Sequence, residues 1–146
     1  MAIQLTVKNL QKKIPINPSL IKQKIKRILC HEHVLDADLS VVFLTDQRIR
    51  TLNKKYLNHD YATDVVTFDL PSFLKKKSRK KIEGEIFVSG ETAYRNAREY
   101  GTDSKRELLL YVVHGILHLL GYQDKSASDK EKMRAKEQEI LKLFKK

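Results

Sequence analysis

The pattern of hydrophobic and polar positions predicts four β-strands. Ile3, Leu5 and Val7 alternate with polar residues, which is the spacing of a strand with one buried face. Three later apolar runs, beginning with LSVVFL at residue 39, are typical of more deeply buried strands. The predicted strands cover residues 3–7, 39–44, 65–70 and 82–89. The last two are expected to form an antiparallel hairpin with a long tip.

Five other segments have the apolar spacing of helices, and several carry end signals. Ser104 with Glu107 and Ser128 with Glu131 match the capping-box pattern at a helix start. Gly101 is a candidate helix stop. The predicted helices cover residues 20–29, 46–52, 91–100, 104–120 and 128–144.

Strands and helices are interspersed along the chain, which indicates a fold of the α+β or α/β type. We expect one compact α+β domain over residues 1–146, because this length suits a single domain. A mixed sheet of about four strands would be packed by about five helices. The most apolar helix, ending near residue 120, would lie in the core.

Composition narrows the class of protein. Hydrophobic residues make up 41% of the chain, too many for a disordered basic tail. Cys30 is the one cysteine, so no intrachain disulfide can form and a reducing compartment is expected. The sequence has no run of about 18 apolar residues and no signal-peptide core at its start. We therefore expect a cytoplasmic location and no membrane insertion.

The charge is strongly positive. Twenty-nine Lys and Arg residues against 18 Asp and Glu residues give a net charge of +11, which favours a polyanionic partner. The run KKKSRKK has no apolar face for a membrane, so it is interpreted as an RNA-binding loop, with a merely solvated loop as the alternative. The candidate RNA-binding residues are Lys75, Lys76, Lys77, Arg79, Lys80 and Lys81.

The segment HGILHLLGYQD carries the candidate chemistry. His114 and His118 lie one turn apart on one helix face, and Gly121 allows a sharp turn that can return Asp124 to the same point. Two imidazole nitrogens and one carboxylate would leave one coordination position of a four-coordinate ion open for water, as in catalytic metal sites. The alternative is a pair of core histidines with satisfied hydrogen bonds. Zinc peptidases with similar spacing have a glutamate base where this chain has Gly115, which disfavours peptidase activity.

The same segment resembles the HGxLHLxGYDH signature of the YbeY family of metal-dependent, single-strand-specific endoribonucleases. LNKKYLNHDYATDVVTF at 52–68 resembles that family's LNxxYRxxDxPTDVLSF segment, and EGEIFVS at 83–89 is similar to its GDIxIS strand. Met133, Glu137, Ile140 and Leu141 resemble the closing helix. The resemblance implies a compact α+β domain, one Zn²⁺ ion, and a role in rRNA processing, 16S rRNA 3′ end maturation and ribosome quality control in the bacterial cytoplasm.

Carried over residue by residue, the resemblance makes His114, His118 and Asp124 the metal ligands, with Asp124 in place of a third histidine. A carboxylate is a harder ligand, so Mn²⁺ or Fe²⁺ become alternatives to Zn²⁺. An arginine of the family is Leu57 here. Other cations near in sequence are candidates to supply that charge: Arg50, Lys54 and Lys55.

Two further positions have competing interpretations. Asp64 is either a turn residue before a strand or a carboxylate that orients a ligand histidine. The run from Cys30 to His33 looks like a metal-binding cluster, but adjacent helix residues point in different directions, so it is interpreted as a helix end.

Three functions remain open from the sequence. The first is a metal-dependent endoribonuclease that acts on single-stranded RNA and associates with the ribosome or ribosomal proteins. The second is a ribosome-associated RNA-binding protein that keeps the metal but cleaves little, which Leu57, Asp124 and the lack of an evident general base motivate. The third is a metallohydrolase with another substrate. The sequence does not predict the oligomeric state.

Overall fold

A four-stranded mixed sheet organises the fold in the computed structural model, which describes residues 3–58, 63–69 and 81–144. The strands run in the order β1-β2-β4-β3. β1, β2 and β4 are parallel, and β3 is an edge strand antiparallel to β4. The predicted hairpin is therefore confirmed, while its tip lies outside the described residues. The strands are β1 (Ile3–Asn9), β2 (Asp36–Leu44), β3 (Val65–Asp69) and β4 (Lys81–Ser89).

Five α-helices in the described ranges confirm the predicted α+β class. They are α1 (Pro18–His31), α2 (Asp46–Leu52), α3 (Gly90–Tyr100), α4 (Ser104–Leu119) and α5 (Ala127–Leu141). A π-helical turn, Asn53–Leu57, continues α2, and a 3₁₀ turn, Lys142–Phe144, follows α5. No described helix has both the length and the apolar character needed to cross a membrane.

The helix ends correct two sequence predictions. The side chain of Asp103, not Ser104, caps α4 by accepting from the backbone N–H of Lys105. α5 begins with a capping box of Ser126 and Asp129 rather than Ser128 and Glu131. The predictions were wrong because Asp caps as well as Ser, and because the shorter Asp129 can replace Glu in the box.

Other helix ends agree with the sequence. Gly101 ends α3 in the left-handed conformation, with φ of 68°, as predicted. The predicted helix end at Cys30–His33 is also confirmed, since α1 stops at His31 and His33 has positive φ.

α4 lies in the core against the sheet. Val112, Val113, Ile116 and Leu117 are fully buried in the same cluster as residues of β2 and β4. A Cβ at Gly115 would lie 2.8 Å from Cγ2 of Ile86, so the glycine lets the helix approach β4 closely. This close packing sets one face of α4 beside β3 and leaves the face with the two histidines half-buried.

Candidate metal centre

The end of α4 brings three ligand-type side chains together. His114 and His118 lie one turn apart on the half-buried face of the helix. Leu120 caps the helix, and Gly121 then takes a φ of 107°, which reverses the chain. The N–H of Tyr122 bonds back to the carbonyl of Leu117 at 3.0 Å. The reversed chain carries Asp124 to the histidines.

The distances among these side chains fit a tetrahedral divalent ion. Nε2 of His114 lies 2.9 Å from Nε2 of His118, and Oδ2 of Asp124 lies 3.5 Å from each nitrogen. Ligand atoms at about 2.0–2.1 Å from a tetrahedral ion are about 3.3 Å apart. The donor set of two imidazoles and one carboxylate also suits an ion with an open position.

Hydrogen bonds at the far side of each ring determine which nitrogens face the centre. Nδ1 of His118 lies 3.1 Å from the carbonyl oxygen of Tyr122, which can only accept, so Nδ1 carries the hydrogen. Nδ1 of His114 donates to Glu137 at 2.5 Å. In the neutral rings, both Nε2 lone pairs then point at each other and at the Asp124 carboxylate. This arrangement is repulsive unless a metal cation, or a proton on one of the two nitrogens, lies between them.

Glu137 belongs to the site, although its sequence pattern indicated only a position in the closing helix and no role at the metal centre. It lies on α5, 23 positions from His114, and its side chain is 13% exposed. The available signal in the sequence was an acidic residue at helical spacing from the apolar residues Met133, Ile140 and Leu141. Carboxylates that hold the outer nitrogen of a ligand histidine fix its tautomer and its orientation.

Asp64 lies in the wall of the site but does not hold a ring nitrogen in the described contacts. Its side chain accepts from the N–H of Val65 at 2.8 Å, as the turn interpretation predicts. Burial lowers the pKa of His114, but the hydrogen bond and charge of Glu137, with Asp124 and Asp64, outweigh burial and raise that pKa above its ordinary value. Asp64 therefore contributes to the negative potential that favours a cation here.

Two cavities meet at the cluster. One, of about 280 Å³, lies between α4 and α5, and the other, of about 320 Å³, lies toward β3 and the π-helical turn. His114, Asp124 and Asp64 line both cavities. Leu57 lines the β3-side cavity. The cluster therefore lies in the middle of an open cleft rather than at the end of a closed pocket.

The cations chosen from the sequence do not line this cleft. Arg50, Lys54 and Lys55 are exposed, and none of them is among the lining residues of either cavity. Among the described residues, the lysine and arginine side chains that line the cleft are Lys130 and Arg134 of α5. Leu57, in the same π-helical turn as Lys54 and Lys55, does line the cleft, so nearness in sequence did not identify its lining cations.

Most of the predicted RNA-binding loop lies outside the described residues, namely Lys75, Lys76, Lys77, Arg79 and Lys80. Lys81 begins β4, is exposed, and pairs with Glu83 at 3.4 Å. RNA binding by this run stays a prediction.

A second group of ligand-type side chains lies between α1 and α5. Nε2 of His31 contacts Oε2 of Glu139 at 2.7 Å, with Glu32 beside them. Nζ of Lys136 lies 2.9 Å from both carboxylates. The ammonium group of Lys136 therefore offsets one of the two negative charges of this cluster.

The fold and the cluster together define a class: α+β proteins in which a core helix carries two histidines and a carboxylate returns after a glycine turn. The sequence model of the Endoribonuclease YbeY family matches residues 6–145. A protein of Amoebophilus asiaticus named Endoribonuclease YbeY is 39% identical over 90% of this chain and 85% of its own length. One from Salinibacter ruber with the same name is 42% identical over 75% of this chain and 76% of its own.

The fold has a solved relative as well. The solution structure of TM1509 from Thermotoga maritima is 28% identical, with a TM-score of 0.64 over 97% of this chain and 91% of that one. The chain belongs to the Endoribonuclease YbeY family, which confirms the resemblance found in its motifs.

Proposed function

We propose that this protein is a metal-dependent endoribonuclease that cuts single-stranded RNA, with His114, His118 and Asp124 holding one divalent ion. The observation that carries the proposal is the pair of inward-facing Nε2 atoms, 2.9 Å apart and facing a carboxylate. Family membership supplies the reaction class, endonucleolytic cleavage of RNA.

The side chains around the cluster have separable roles in this proposal. Glu137 and the Tyr122 carbonyl hold the two imidazoles with their outer nitrogens protonated. Asp124 adds a negative ligand on the solvent side. When bound, the ion supplies a Lewis acid that activates water and polarises a phosphoryl oxygen. The cleft continues on both sides of the cluster, so an extended strand can pass across it.

Zn²⁺ is the ion that we propose for this donor set, because two imidazoles and a carboxylate in tetrahedral geometry are common zinc ligands. Asp124 makes the set harder than three imidazoles, so Mn²⁺ and Fe²⁺ are competitors. Peptidase activity is disfavoured, since Gly115 offers no general base and faces Ile86 in the core.

The family resemblance supports a more specific assignment. We propose that the substrate is ribosomal RNA in the cytoplasm, with roles in 16S rRNA 3′ end maturation and ribosome quality control. The ribosome or its proteins would then deliver the substrate. The net charge of +11 is consistent with an RNA partner.

The competing function is a metal-containing RNA-binding protein that cleaves little. Leu57 favours it, because this apolar side chain lines the cleft where the resemblance implies an arginine.

Cleavage of a labelled single strand and of the matching duplex separates the two functions. The chelated protein should be inactive, and Zn²⁺ or Mn²⁺ should restore cleavage of the single strand alone. RNA binding without cleavage in every metal would establish the competing function, and cleavage by metal-free protein would refute both.

A further inference from the structure

We propose that Lys130 and Arg134 form a phosphate subsite on the α5 wall of the cleft, which binds a phosphodiester of the RNA strand next to the one at the metal centre. This inference rests on the proposed function and adds the contacts that hold the substrate. It assigns roles to two of the many basic residues of the chain.

One stripe of α5 faces the cleft. Lys130, Met133, Arg134 and Glu137 are spaced as neighbours on one helix face, and all four line the cavity that His114 and Asp124 also line. Glu137 hydrogen-bonds His114, so this stripe has a defined position relative to the candidate ligands. Arg134 lies about one turn from Glu137 and Lys130 about two turns, at a rise of about 5.4 Å per turn.

The carboxylates that line this cavity would repel the RNA backbone unless positive side chains lie beside them. Asp64, Asp124 and Glu137 are its lining carboxylates, and a phosphodiester that approaches them is repelled. Lys130 and Arg134 are exposed, and within the described part of the chain neither contacts a carboxylate. By contrast, Lys136 on the same helix is held by Glu32 and Glu139. An unpaired guanidinium can bind a phosphate through two parallel hydrogen bonds.

The opposite wall offers no substitute. The described residues that line the β3-side cavity include Asn53, Leu57 and Thr63 but no lysine or arginine. A strand that crosses the metal centre therefore meets positive side chains on the α5 side.

The test compares two charge-matched double variants of the full chain. Lys130→Ala with Arg134→Ala removes the subsite, and Lys132→Ala with Arg48→Ala removes the same charges at exposed positions outside both cavities. Zn²⁺ content and melting temperature are the controls for folding. We expect neither to change, because alanine is a good helix former. KM and kcat for single-stranded RNA, and RNA affinity by fluorescence anisotropy, are measured from low to high salt.

We expect the Lys130/Arg134 variant to raise KM at least about tenfold with little change in kcat and unchanged metal content. The slope of log affinity against log salt should decrease by about 0.7, because the variant no longer neutralises the one phosphate held in the subsite. Exchanging the two residues, Lys130→Arg with Arg134→Lys, should preserve most of the affinity.

Equal KM and equal salt slope in the two alanine variants would overturn the subsite while leaving the proposed function intact. Failure of the proposed function looks different, because the wild-type protein itself would then cleave single-stranded RNA in no metal. If it still bound the RNA, the anisotropy comparison would test the subsite by itself, and if it did not bind RNA, the subsite would be refuted as well.

Discussion

Glu137 is expected to control metal affinity although it is not a proposed ligand. Its carboxylate accepts from Nδ1 of His114 at 2.5 Å, and its side chain is 13% exposed, so solvent screens the contact poorly. Loss of such a partner typically costs about 10–100-fold in metal affinity. That range corresponds to about 1.4–2.8 kcal/mol of binding free energy.

Two substitutions separate the charge of Glu137 from its hydrogen bond. Glu137→Gln keeps an oxygen that can accept from Nδ1 and removes only the charge, so we expect about a tenfold loss of affinity. Glu137→Ala removes both, and we expect about a 100-fold loss. Glu139→Gln is the matched control, because Glu139 lies on the same helix but is half-exposed and contacts His31 and Lys136.

Competition with a chromophoric chelator measures the dissociation constant of Zn²⁺ for each variant. We expect wild type and Glu139→Gln to bind most tightly, then Glu137→Gln, then Glu137→Ala. A Glu137→Ala protein that binds Zn²⁺ as tightly as the Glu139→Gln protein would refute the role assigned to this contact.

Three further predictions test the ligand set, the packing of α4 and a helix-end network. Asp124→His should raise the affinity for Zn²⁺ relative to Mn²⁺ in competition titrations, and an unchanged ratio would exclude Asp124 as a ligand. Gly115→Ala should cost about 1–3 kcal/mol in urea unfolding, because the new Cβ would lie 2.8 Å from Ile86; no loss would mean that α4 can shift. Burial raises the pKa of Asp46, but hydrogen bonds from Ser89, Thr92 and Arg95 lower it more, so its net pKa is below the ordinary value. That carboxylate therefore stabilises the fold above its unfolded pKa of about 3.9, and the stabilisation is lost as the pH falls through the lower folded value. The free energy of unfolding of Asp46→Asn at pH 7 should be about 1–2 kcal/mol below that of wild type in urea titrations. If this difference does not become smaller in acid, the stabilising role of the Asp46 carboxylate is contradicted.

Local patterns predicted much of this fold. Alternating and continuous apolar runs located all four strands, and the paired order of β3 and β4 followed from their nearness in sequence. Helix starts were less accurate, because several residues near each start can cap. Asn17 with Pro18 begins α1 two residues before the predicted start, and Asp103 and Ser126 replace the caps that the pattern favoured.

The candidate centre was only partly predictable, for a physical reason. His114, His118 and Asp124 lie within eleven positions, so helix geometry and one glycine turn were enough to bring them together. Contacts between distant elements have no local signature. The contact of Glu137 with His114 depends on how α5 packs on α4, and the wall formed by Lys130 and Arg134 depends on the same packing.

The π-helical turn was not predicted at all. It extends α2 by five residues and places Leu57 in the cleft, while Lys54 and Lys55 remain exposed outside it. Hydrophobic spacing does not distinguish an α-helical from a π-helical turn over so short a segment. Arg50, Lys54 and Lys55 are not among the described residues that line the cleft, and a contribution of their charge to the site stays a prediction.

The metal content of the purified protein tests the central claim most directly. Elemental analysis of the wild-type chain and of His118→Ala, prepared side by side and titrated with Zn²⁺ and Mn²⁺, gives the stoichiometry. We expect one tightly bound ion per wild-type chain and none in the variant, with the fold retained in both. Wild-type protein that binds no ion on titration, or a variant that keeps its ion, would contradict the claim.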